Sequence, residues 1–218
     1  MNWKLLRHCP WVDTRARFVA KLPPEGTLLD LGCSAGETLG HFAELRPDLR
    51  LFAVDLEETL QKTLPRCEFR RANVEREPLP WPAGSMDAIT CMQLIEHLRD
   101  LTLLLREAHR LLKPGGRIFF ETQHPRSLTL SSAPGAAVGT FCLNFFDASC
   151  HVKMVPMGLL AEYVRAAGLE VLDSGTSRNW FFAALYPVFA FLPSSRKKFT
   201  SYCHWLGWSA YLIARRAM

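Results

Sequence analysis

A glycine-rich turn near the start of the chain joins an apolar run to a segment of helical pattern. It has the sequence LLDLGCSAG and spans Leu28–Gly36. In such a turn the backbone N–H groups at the start of the following helix face an anionic ligand, and glycine is required wherever a side chain would block the ligand. Asp55 closes the next apolar run, where a carboxylate can accept hydrogen bonds from a ribose diol. Together the turn and Asp55 predict a site for a ligand that carries a nucleoside.

The same turn contains a second motif, because Gly32-Cys33-Ser34-Ala35-Gly36 also matches G-x-S-x-G. This is the nucleophile elbow of α/β-hydrolases, and Ser34 would then be the nucleophile. The elbow needs preceding strands and an oxyanion-hole loop, whereas only about one helix precedes Thr27. An NAD-dependent dehydrogenase is disfavoured because the turn lacks G-x-G-x-x-G. The alternatives that stay open are a hydrolase that uses Ser34 and a non-catalytic cofactor-binding protein on the same fold.

These residues need a scaffold that brings the ends of several strands together. Short apolar runs alternate with helical patterns along the chain, which is typical of a parallel sheet flanked by helices. The third run is the most polar, and we expect it at an edge of the sheet. Strands are predicted at Thr27–Gly32, Leu49–Asp55, Cys67–Val74, Met86–Met92, Arg117–Thr122, Leu169–Asp173 and Ser209–Arg216, and helices at Asp13–Leu22, from Ala35 to before Pro47, at Glu57–Leu64, from Asp100 to Lys113 and at Leu159–Ala167.

Composition limits the classes of protein that fit. A chain of 218 residues with 49% hydrophobic and 22% charged residues predicts a single globular domain over 1–218. Its seven cysteines form no C-x-x-C pair, which argues against a disulfide framework and a cysteine zinc site. The five basic residues of 194–218 equal the whole net charge of +5, so nucleic acid is a disfavoured partner. The N-terminus lacks the apolar core of a signal peptide, and we expect a cytoplasmic protein.

Two segments interrupt the alternation of strands and helices. Residues 124–156 are rich in Ser, Gly, Pro and Ala, and a connection of this length is predicted to form a lid over the site. A second lid is predicted at 178–206. It contains Trp180–Pro193, which is almost wholly apolar but includes Pro187 and is too short for a membrane span. This run has three interpretations, which are core packing, the wall of an apolar acceptor pocket, and peripheral membrane contact through 180–198.

Four segments together resemble the class I S-adenosylmethionine-dependent methyltransferases, and especially their type-11, ubiquinone/menaquinone-methyltransferase-like group. The segments are LLDLGCSAG at 28–36, AVDLEE at 53–58, LPWPAGSMDAITCMQLIEHL at 79–98 and REAHRLLKPGGRIFFET at 106–122. The resemblance runs from about Leu28 to Asp173. It departs from the usual pattern at Ser34, where the group has glycine, and at Asn73, where an aspartate commonly lies on the adenine side.

The resemblance implies an α/β, Rossmann-like fold. Its seven-stranded, mostly parallel sheet would have the order 3-2-1-4-5-7-6 with strand seven antiparallel and helices on both faces. S-adenosylmethionine would lie across the carboxyl ends of strands one to four. The implied contacts are Asp30, Gly32, Cys33 and Gly36 around the methionine portion, Asp55 on the ribose hydroxyls, Leu56 against the adenine, Asn73 and Val74 at its polar edge, and Met92 and Gln93 beside the sulfonium.

The expected reaction moves the sulfonium methyl group to a small, apolar or aromatic acceptor and releases S-adenosylhomocysteine. An in-line nucleophile held near the methyl group, with water excluded, supplies much of the acceleration, so no metal is predicted. A histidine suits the removal of a proton from the acceptor. His124, after the fifth strand, is the first candidate, followed by His97 and His151, and a structural imidazole is the competing interpretation for each. The accepting atom (O, N or C) and the oligomeric state are left open.

Overall fold

A single sheet of seven strands forms the centre of the protein in the computed structural model, which describes residues 3–58, 64, 67–132 and 142–218. The strands are β1 (Thr27–Leu31), β2 (Arg50–Asp55), β3 (Cys67–Arg71), β4 (Met86–Met92), β5 (Leu112–Gln123), β6 (Leu169–Ser177) and β7 (Ser209–Arg216). Their spatial order is β3-β2-β1-β4-β5-β7-β6. β1 to β5 pair in parallel, and β7 is antiparallel to both β5 and β6. The predicted order and the reversed last strand are both confirmed.

Helices cover both faces of this sheet. They are α1 (Thr14–Val19), α2 (Glu37–Leu45), α3 (Thr102–Leu111), α4 (Met157–Ala166), α5 (Trp180–Phe189) and α6 (Arg196–Leu206). Leu28 of β1 packs into a buried cluster with Phe18 of α1 and Phe42 of α2. The next residue, Leu29, joins the cluster that contains Leu104 of α3. Because β1 is buried on both faces, it appears in the sequence as a continuous apolar run.

Several boundaries differ from the predicted ones. β5 begins at Leu112 instead of Arg117, because α3 ends at Leu111 and 113–116 already belong to the strand. The pairing of β5 with β4 is irregular at this point, between Met86 and Ala88. α1 ends at Val19, β3 ends at Arg71 and β6 continues to Ser177. The helix predicted at 57–64 falls mostly outside the described residues.

The predicted cap of the first helix is confirmed. Asp13 precedes α1, and its Oδ1 accepts hydrogen bonds from the backbone N–H of Arg15 at 2.9 Å and of Ala16 at 3.1 Å. Two amides at the start of the helix are thereby satisfied. The other oxygen, Oδ2, accepts from Asn179 Nδ2 at 3.0 Å. The same carboxylate therefore ties the N-terminal helix to the segment that precedes α5.

The apolar run Trp180–Pro193 forms half of a helical hairpin made of α5 and α6. Asn179 Oδ1 accepts from the N–H of Phe182 at 3.1 Å, and Ser195 Oγ accepts from that of Lys198 at 3.2 Å, so each helix has a side-chain cap. The hairpin connects β6 to β7, which starts beside the carboxyl end of β5. It therefore emerges at the edge where the parallel strands end. Within the described ranges, no helix is long and apolar enough to cross a membrane.

Candidate active site

The glycine-rich turn after β1 has a left-handed backbone at three residues. Gly32, Ser34 and Gly36 have φ of 72°, 47° and 77°. The N–H of Gly32 donates to the carbonyl oxygen of Val54 at 2.9 Å, which fixes the turn against the end of β2. A Cβ added at Gly32 would lie 2.9 Å from Leu94 Cδ1. The left-handed backbone therefore favours glycine at position 32, and a side chain there would also have to displace the end of Leu94.

Asp55, at the end of β2, lies directly beside this turn. Its Oδ2 accepts a hydrogen bond from the N–H of Ser34 at 2.8 Å, and its Oδ1 accepts a longer one from the N–H of Glu57 at 3.4 Å. The exposed side chain of Leu56 follows it. The residues predicted to bind an anionic group and a ribose are thus neighbours where β1 and β2 end, which is where open α/β sheets bind their ligands.

Two buried groups lie under the turn. Asp30 of β1 accepts a hydrogen bond from Thr90 Oγ1 at 2.6 Å. Burial raises the pKa of Asp30 to about 7, with the nearby carboxylate of Asp55 adding to the shift. Burial, together with the charges of Asp30 and Asp55, raises the pKa of the Cys33 thiol to about 12. Cys33 is therefore a protonated thiol at neutral pH and acts as a small apolar side chain.

Gln93 follows β4 at the same edge of the sheet. Its φ is 50°, an uncommon conformation for a residue other than glycine. The backbone N–H donates to the carbonyl oxygen of Glu121 at 2.7 Å, and Nε2 donates to Ser209 Oγ at 3.5 Å. Met92, the last residue of β4, is half-buried beside it. The fold thus brings the predicted pair to the carboxyl edge, between the turn and the α5–α6 hairpin.

Asn73 and Val74 lie beyond β3. Asn73 Oδ1 accepts from the N–H of Glu75 at 3.0 Å, and its carbonyl oxygen accepts from the N–H of Arg76 at 2.9 Å. Asn73 therefore closes a turn, and Val74 is buried in the core. Their contact with an adenine ring stays a prediction.

His124 caps the short 3-10 turn Pro125–Thr129. Its Nδ1 accepts a hydrogen bond from the N–H of Arg126 at 3.1 Å. Burial lowers the pKa of His124, and the guanidinium groups of Arg126 and Arg178 lower it further. Because Nδ1 is the acceptor, the neutral ring carries its proton on Nε2.

His97 and His151 are brought together by the fold. Their ring centroids are 4.9 Å apart, although the two residues are 54 positions apart in the sequence. His97 Nδ1 donates to the carbonyl oxygen of Cys150 at 3.1 Å, and His151 Nδ1 donates to that of Phe145 at 2.6 Å. Both neutral rings therefore carry the lone pair on Nε2. Two of the three candidate histidines thus form one cluster, and His124 is placed separately in the turn that it caps.

A cavity of about 740 Å³ opens where β4, β5 and β7 meet α6. Gln93, Glu121 and Ser209 line it from the sheet, and Cys142 lines it from the segment predicted as the first lid. The α6 residues on its wall belong to the second predicted lid and are Arg196, Phe199, Thr200, Cys203 and His204. Both predicted lid segments therefore contribute walls to a cavity beside the end of β4.

Sequence reasoning missed three polar residues of this cavity, which are Arg15, Glu121 and His204. Glu121 is buried and accepts a hydrogen bond from Ser177 Oγ at 2.7 Å. Burial lowers the pKa of His204 to about 4, and the charge of Arg15 contributes to the shift. The N–H of Asn179 donates to His204 Nδ1 at 3.1 Å, so this neutral ring presents Nε2–H. No sequence signal marks these residues, because they come from α1, β5 and α6 and meet only in the folded chain.

Comparison with known proteins agrees with this geometry. Residues 3–174 match the family described as "Methyltransferase domain". A ubiquinone biosynthesis O-methyltransferase from Xanthomonas axonopodis pv. citri is 32% identical over 174 residues, which are 71% of this chain and 67% of that protein. A second such enzyme, from Albidiferax ferrireducens, is 31% identical over 66% of this chain and 60% of its own length.

Solved structures of low sequence identity share the fold. A chain from the complex between the Haloferax volcanii Trm112 methyltransferase activator and a methyltransferase superposes with a TM-score of 0.69 at 16% identity, over 99% of this chain and 94% of that one. The S-adenosylmethionine-dependent methyltransferase from Mesorhizobium loti gives 0.64 at 19% identity, over 96% and 98%.

The strand order and the turn beside Asp55 define a Rossmann-like methyltransferase fold. The chain belongs to the methyltransferase-domain family and is an S-adenosylmethionine-dependent methyltransferase. Membership in this family overturns the hydrolase alternative based on Ser34. The backbone N–H of Ser34 donates to Asp55, so this residue belongs to the turn that holds the carboxylate.

Proposed function

We propose that the protein methylates a small, hydrophobic or aromatic acceptor bound in the cavity beside Gln93. S-adenosylmethionine supplies an electrophilic methyl group when bound. The observation that carries the proposal is the adjacency of two sites at one edge of the sheet: the turn with Asp55 at the ends of β1 and β2, and the cavity at the ends of β4 and β5. The relatives named above act in ubiquinone biosynthesis as O-methyltransferases, which favours oxygen as the accepting atom here.

The residues of the cofactor half fit the group. Asp55 would accept hydrogen bonds from the ribose diol, and the left-handed backbone of Gly32 and Gly36 would shape the turn around the methionine portion. Asp30, Cys33, Leu56, Asn73, Val74 and Met92 keep the roles that the resemblance implies. The chain's own contribution to rate is to orient the acceptor and to exclude water from the cavity.

We infer which candidate histidine removes the proton from the acceptor by comparing the tautomers of His124 and His97. His124 uses the lone pair of Nδ1 to accept the N–H of Arg126, so its neutral ring has none left for the acceptor. His97 donates from Nδ1 to a carbonyl oxygen and keeps its Nε2 lone pair. A general base needs a lone pair that can reach the proton it removes. We therefore favour His97 over His124 as the base.

Calorimetric titration with S-adenosylhomocysteine tests the cofactor site. We expect Asp55→Ala to bind it on the order of 100-fold more weakly than wild type, because hydrogen bonds to a charged group contribute about 1.5–3 kcal/mol each. Glu162→Ala, an exposed acidic residue on α4, is the matched control and should bind like wild type. Equal affinity of Asp55→Ala and wild type would remove Asp55 from the site and refute the proposed arrangement.

Exposed apolar side chains of the α5–α6 hairpin favour a peripheral membrane contact. Trp180 and Phe181 of α5 and Phe191, just after α5, are exposed, and Arg196, Lys197 and Lys198 begin the next helix. Apolar side chains beside basic ones suit an anionic lipid surface. We expect the protein to sediment with anionic vesicles and Phe191→Asp to sediment less. Equal recovery with neutral and anionic vesicles would contradict this. In this proposal a cytoplasmic, single-domain protein reaches its acceptor at a membrane surface.

A further inference from the structure

A cluster of side chains that could bind a metal is connected to the proposed acceptor cavity through Gln123, whose Nε2 donates to Sγ of the lining residue Cys142 at 3.6 Å. Glu96 and His97 belong to the 3-10 turn Ile95–His97, which follows β4, and His151 comes from the segment before α4. One potential ligand atom from each of the three lies within 4.8 Å of the others. A metal ion with ligands at about 2.0–2.2 Å draws its ligand atoms closer than this, so binding requires only a short contraction of the cluster.

The carboxylate of Glu96 has one oxygen without a partner. Glu96 is fully buried, and its Oε2 accepts a hydrogen bond from Thr122 Oγ1 at 2.8 Å. Among the described residues, nothing hydrogen-bonds to Oε1, although that atom is buried as well. A buried carboxylate oxygen without a partner is strongly unfavourable. A cation bound at Oε1 would remove this cost.

Both histidines are oriented as metal ligands are. Each donates its Nδ1–H to a backbone carbonyl, His97 to that of Cys150 and His151 to that of Phe145. A histidine that binds a metal usually makes such a bond with its second ring nitrogen, which fixes the tautomer and the direction of the ring. The Nε2 lone pairs are therefore the ones available to an ion.

Gln123 adds a fourth polar group to the cluster. Its Nε2 lies 3.2 Å from His151 Nε2 and donates to that lone pair. Its Oε1 is buried without a hydrogen-bond partner in the described part of the chain. Rotation of the amide by half a turn would exchange the N–H group for the carbonyl oxygen, which is an acceptor and a metal ligand. The two unpartnered oxygens of this region thus belong to side chains of one cluster.

We propose that Glu96, His97 and His151 form a site for a divalent transition metal, with Zn²⁺ as the ion that the donor set fits best. Two imidazoles and one carboxylate form the ligand set of catalytic zinc sites, which keep a further position open. Mg²⁺ fits poorly, because it takes oxygen ligands. The inference departs from the expectation, drawn from the sequence, that no metal takes part.

The open position would take an oxygen atom of the acceptor, a role that rests on the proposed function. A hydroxyl bound to Zn²⁺ loses its proton more readily. The ion would lower the pKa of that hydroxyl, its proton would pass to water, and His97 would serve as a ligand instead of a base. Metal binding itself depends only on the cluster and can be measured without a cofactor or an acceptor.

The test is calorimetric titration of ZnCl₂ and MgCl₂ into the full chain, reduced and freed of metal with a chelator. We expect one tight Zn²⁺ per chain and much weaker Mg²⁺ binding. Glu96→Gln and His151→Asn should each weaken Zn²⁺ binding by at least about 100-fold, since even the loss of an outer partner costs 10–100-fold. His109→Asn, a histidine of α3 outside the cluster, and Cys150→Ser, which removes the neighbouring thiol, should bind Zn²⁺ like wild type.

Thermal unfolding separates loss of the site from loss of the fold. Glu96→Gln is nearly isosteric, and we expect it to unfold in chelator at no lower temperature than wild type. Zn²⁺ should raise the Tm of wild type and of both controls but not that of the two cluster variants. Unchanged Zn²⁺ affinity in Glu96→Gln and His151→Asn, or loss of affinity in Cys150→Ser alone, would overturn the proposal. S-adenosylhomocysteine binding measured on the same samples reports on the proposed function separately.

Discussion

The two halves of the site are built in different ways. The centre of the cofactor half, which is the glycine-rich turn with Asp55, lies between Leu28 and Asp55 in the sequence. Backbone N–H groups make its main contacts, from Gly32 to the Val54 carbonyl and from Ser34 to Asp55. The acceptor half gathers side chains from segments far apart in the chain. Its cavity is lined by Arg15 of α1, Glu121 of β5 and His204 of α6. The first half is a local backbone motif, whereas the second exists only after the whole sheet has assembled.

Burial acts in opposite directions on the titratable groups of the two halves. In the cofactor half it raises the pKa of Asp30 to about 7. In the acceptor half it lowers the pKa of His204 to about 4. Both shifts favour the neutral form, because a charge is costly where water is excluded. The two groups therefore give the folding free energy opposite dependences on pH.

The largest effect that we predict is a change in the pH dependence of stability in two variants. The neutral carboxyl group of Asp30 contributes roughly 4 kcal/mol to the free energy of unfolding below its unfolded pKa of 3.8, and this contribution is lost as pH rises toward 7. The neutral ring of His204 contributes roughly 3 kcal/mol above pH 6.5, and this contribution is lost as pH falls toward 4. Relative to wild type, Asp30→Asn should gain stability as pH rises from about 4 to 7, and His204→Asn should gain it as pH falls over that range.

Denaturant unfolding at several pH values measures both slopes. An asparagine at position 30 can still accept the hydrogen bond from Thr90 Oγ1, and one at position 204 can still accept that from the N–H of Asn179. Each variant therefore removes mainly the titratable group. Glu162→Gln, on the exposed face of α4, is the control and should follow wild type. If both variants also follow wild type, Asp30 and His204 titrate as exposed groups do, and the contrast between the halves is wrong.

The cofactor half, which is built from local contacts, is also the half that could be predicted from the sequence. Leu28–Gly36 and Asp55 could be identified because their chemistry depends on residue types at fixed short spacings, and the hydrogen bond from Ser34 to Asp55 joins them in the structure. The alternation of elements predicted a parallel sheet flanked by helices, and the family resemblance alone implied the strand order. The helix cap at Asp13 could be predicted for the same local reason, since the atoms that it binds are two and three residues away.

The acceptor half could not be predicted because its contacts are not local. The run Trp180–Pro193 is apolar on every side, so its composition did not predict that it would form α5 and pack against α6. The sequence did not identify Glu96 as a functional residue, because only its neighbour His97 was a candidate base. Its importance appears only when β5 places Thr122 against one carboxylate oxygen and leaves the other buried without a partner in the described chain.

A smaller effect, of about 2 kcal/mol, is expected from Gly32→Ala. A left-handed backbone costs an alanine about 1–2 kcal/mol, and at this position the new Cβ would also meet Leu94 Cδ1 at 2.9 Å. Gly84→Ala separates the two causes, because Gly84 has a φ of 64° and a Cβ there would meet nothing within 4 Å. We expect denaturant unfolding to show a loss of about 1 kcal/mol for Gly84→Ala and a larger loss for Gly32→Ala. Only Gly32→Ala should also weaken S-adenosylhomocysteine binding.

Equal losses of stability in the two variants would mean that Leu94 yields to the new methyl group and that the turn's fit to its surroundings contributes little. The cofactor half would then depend on backbone conformation alone, and its difference from the side-chain-built acceptor half would be sharper still.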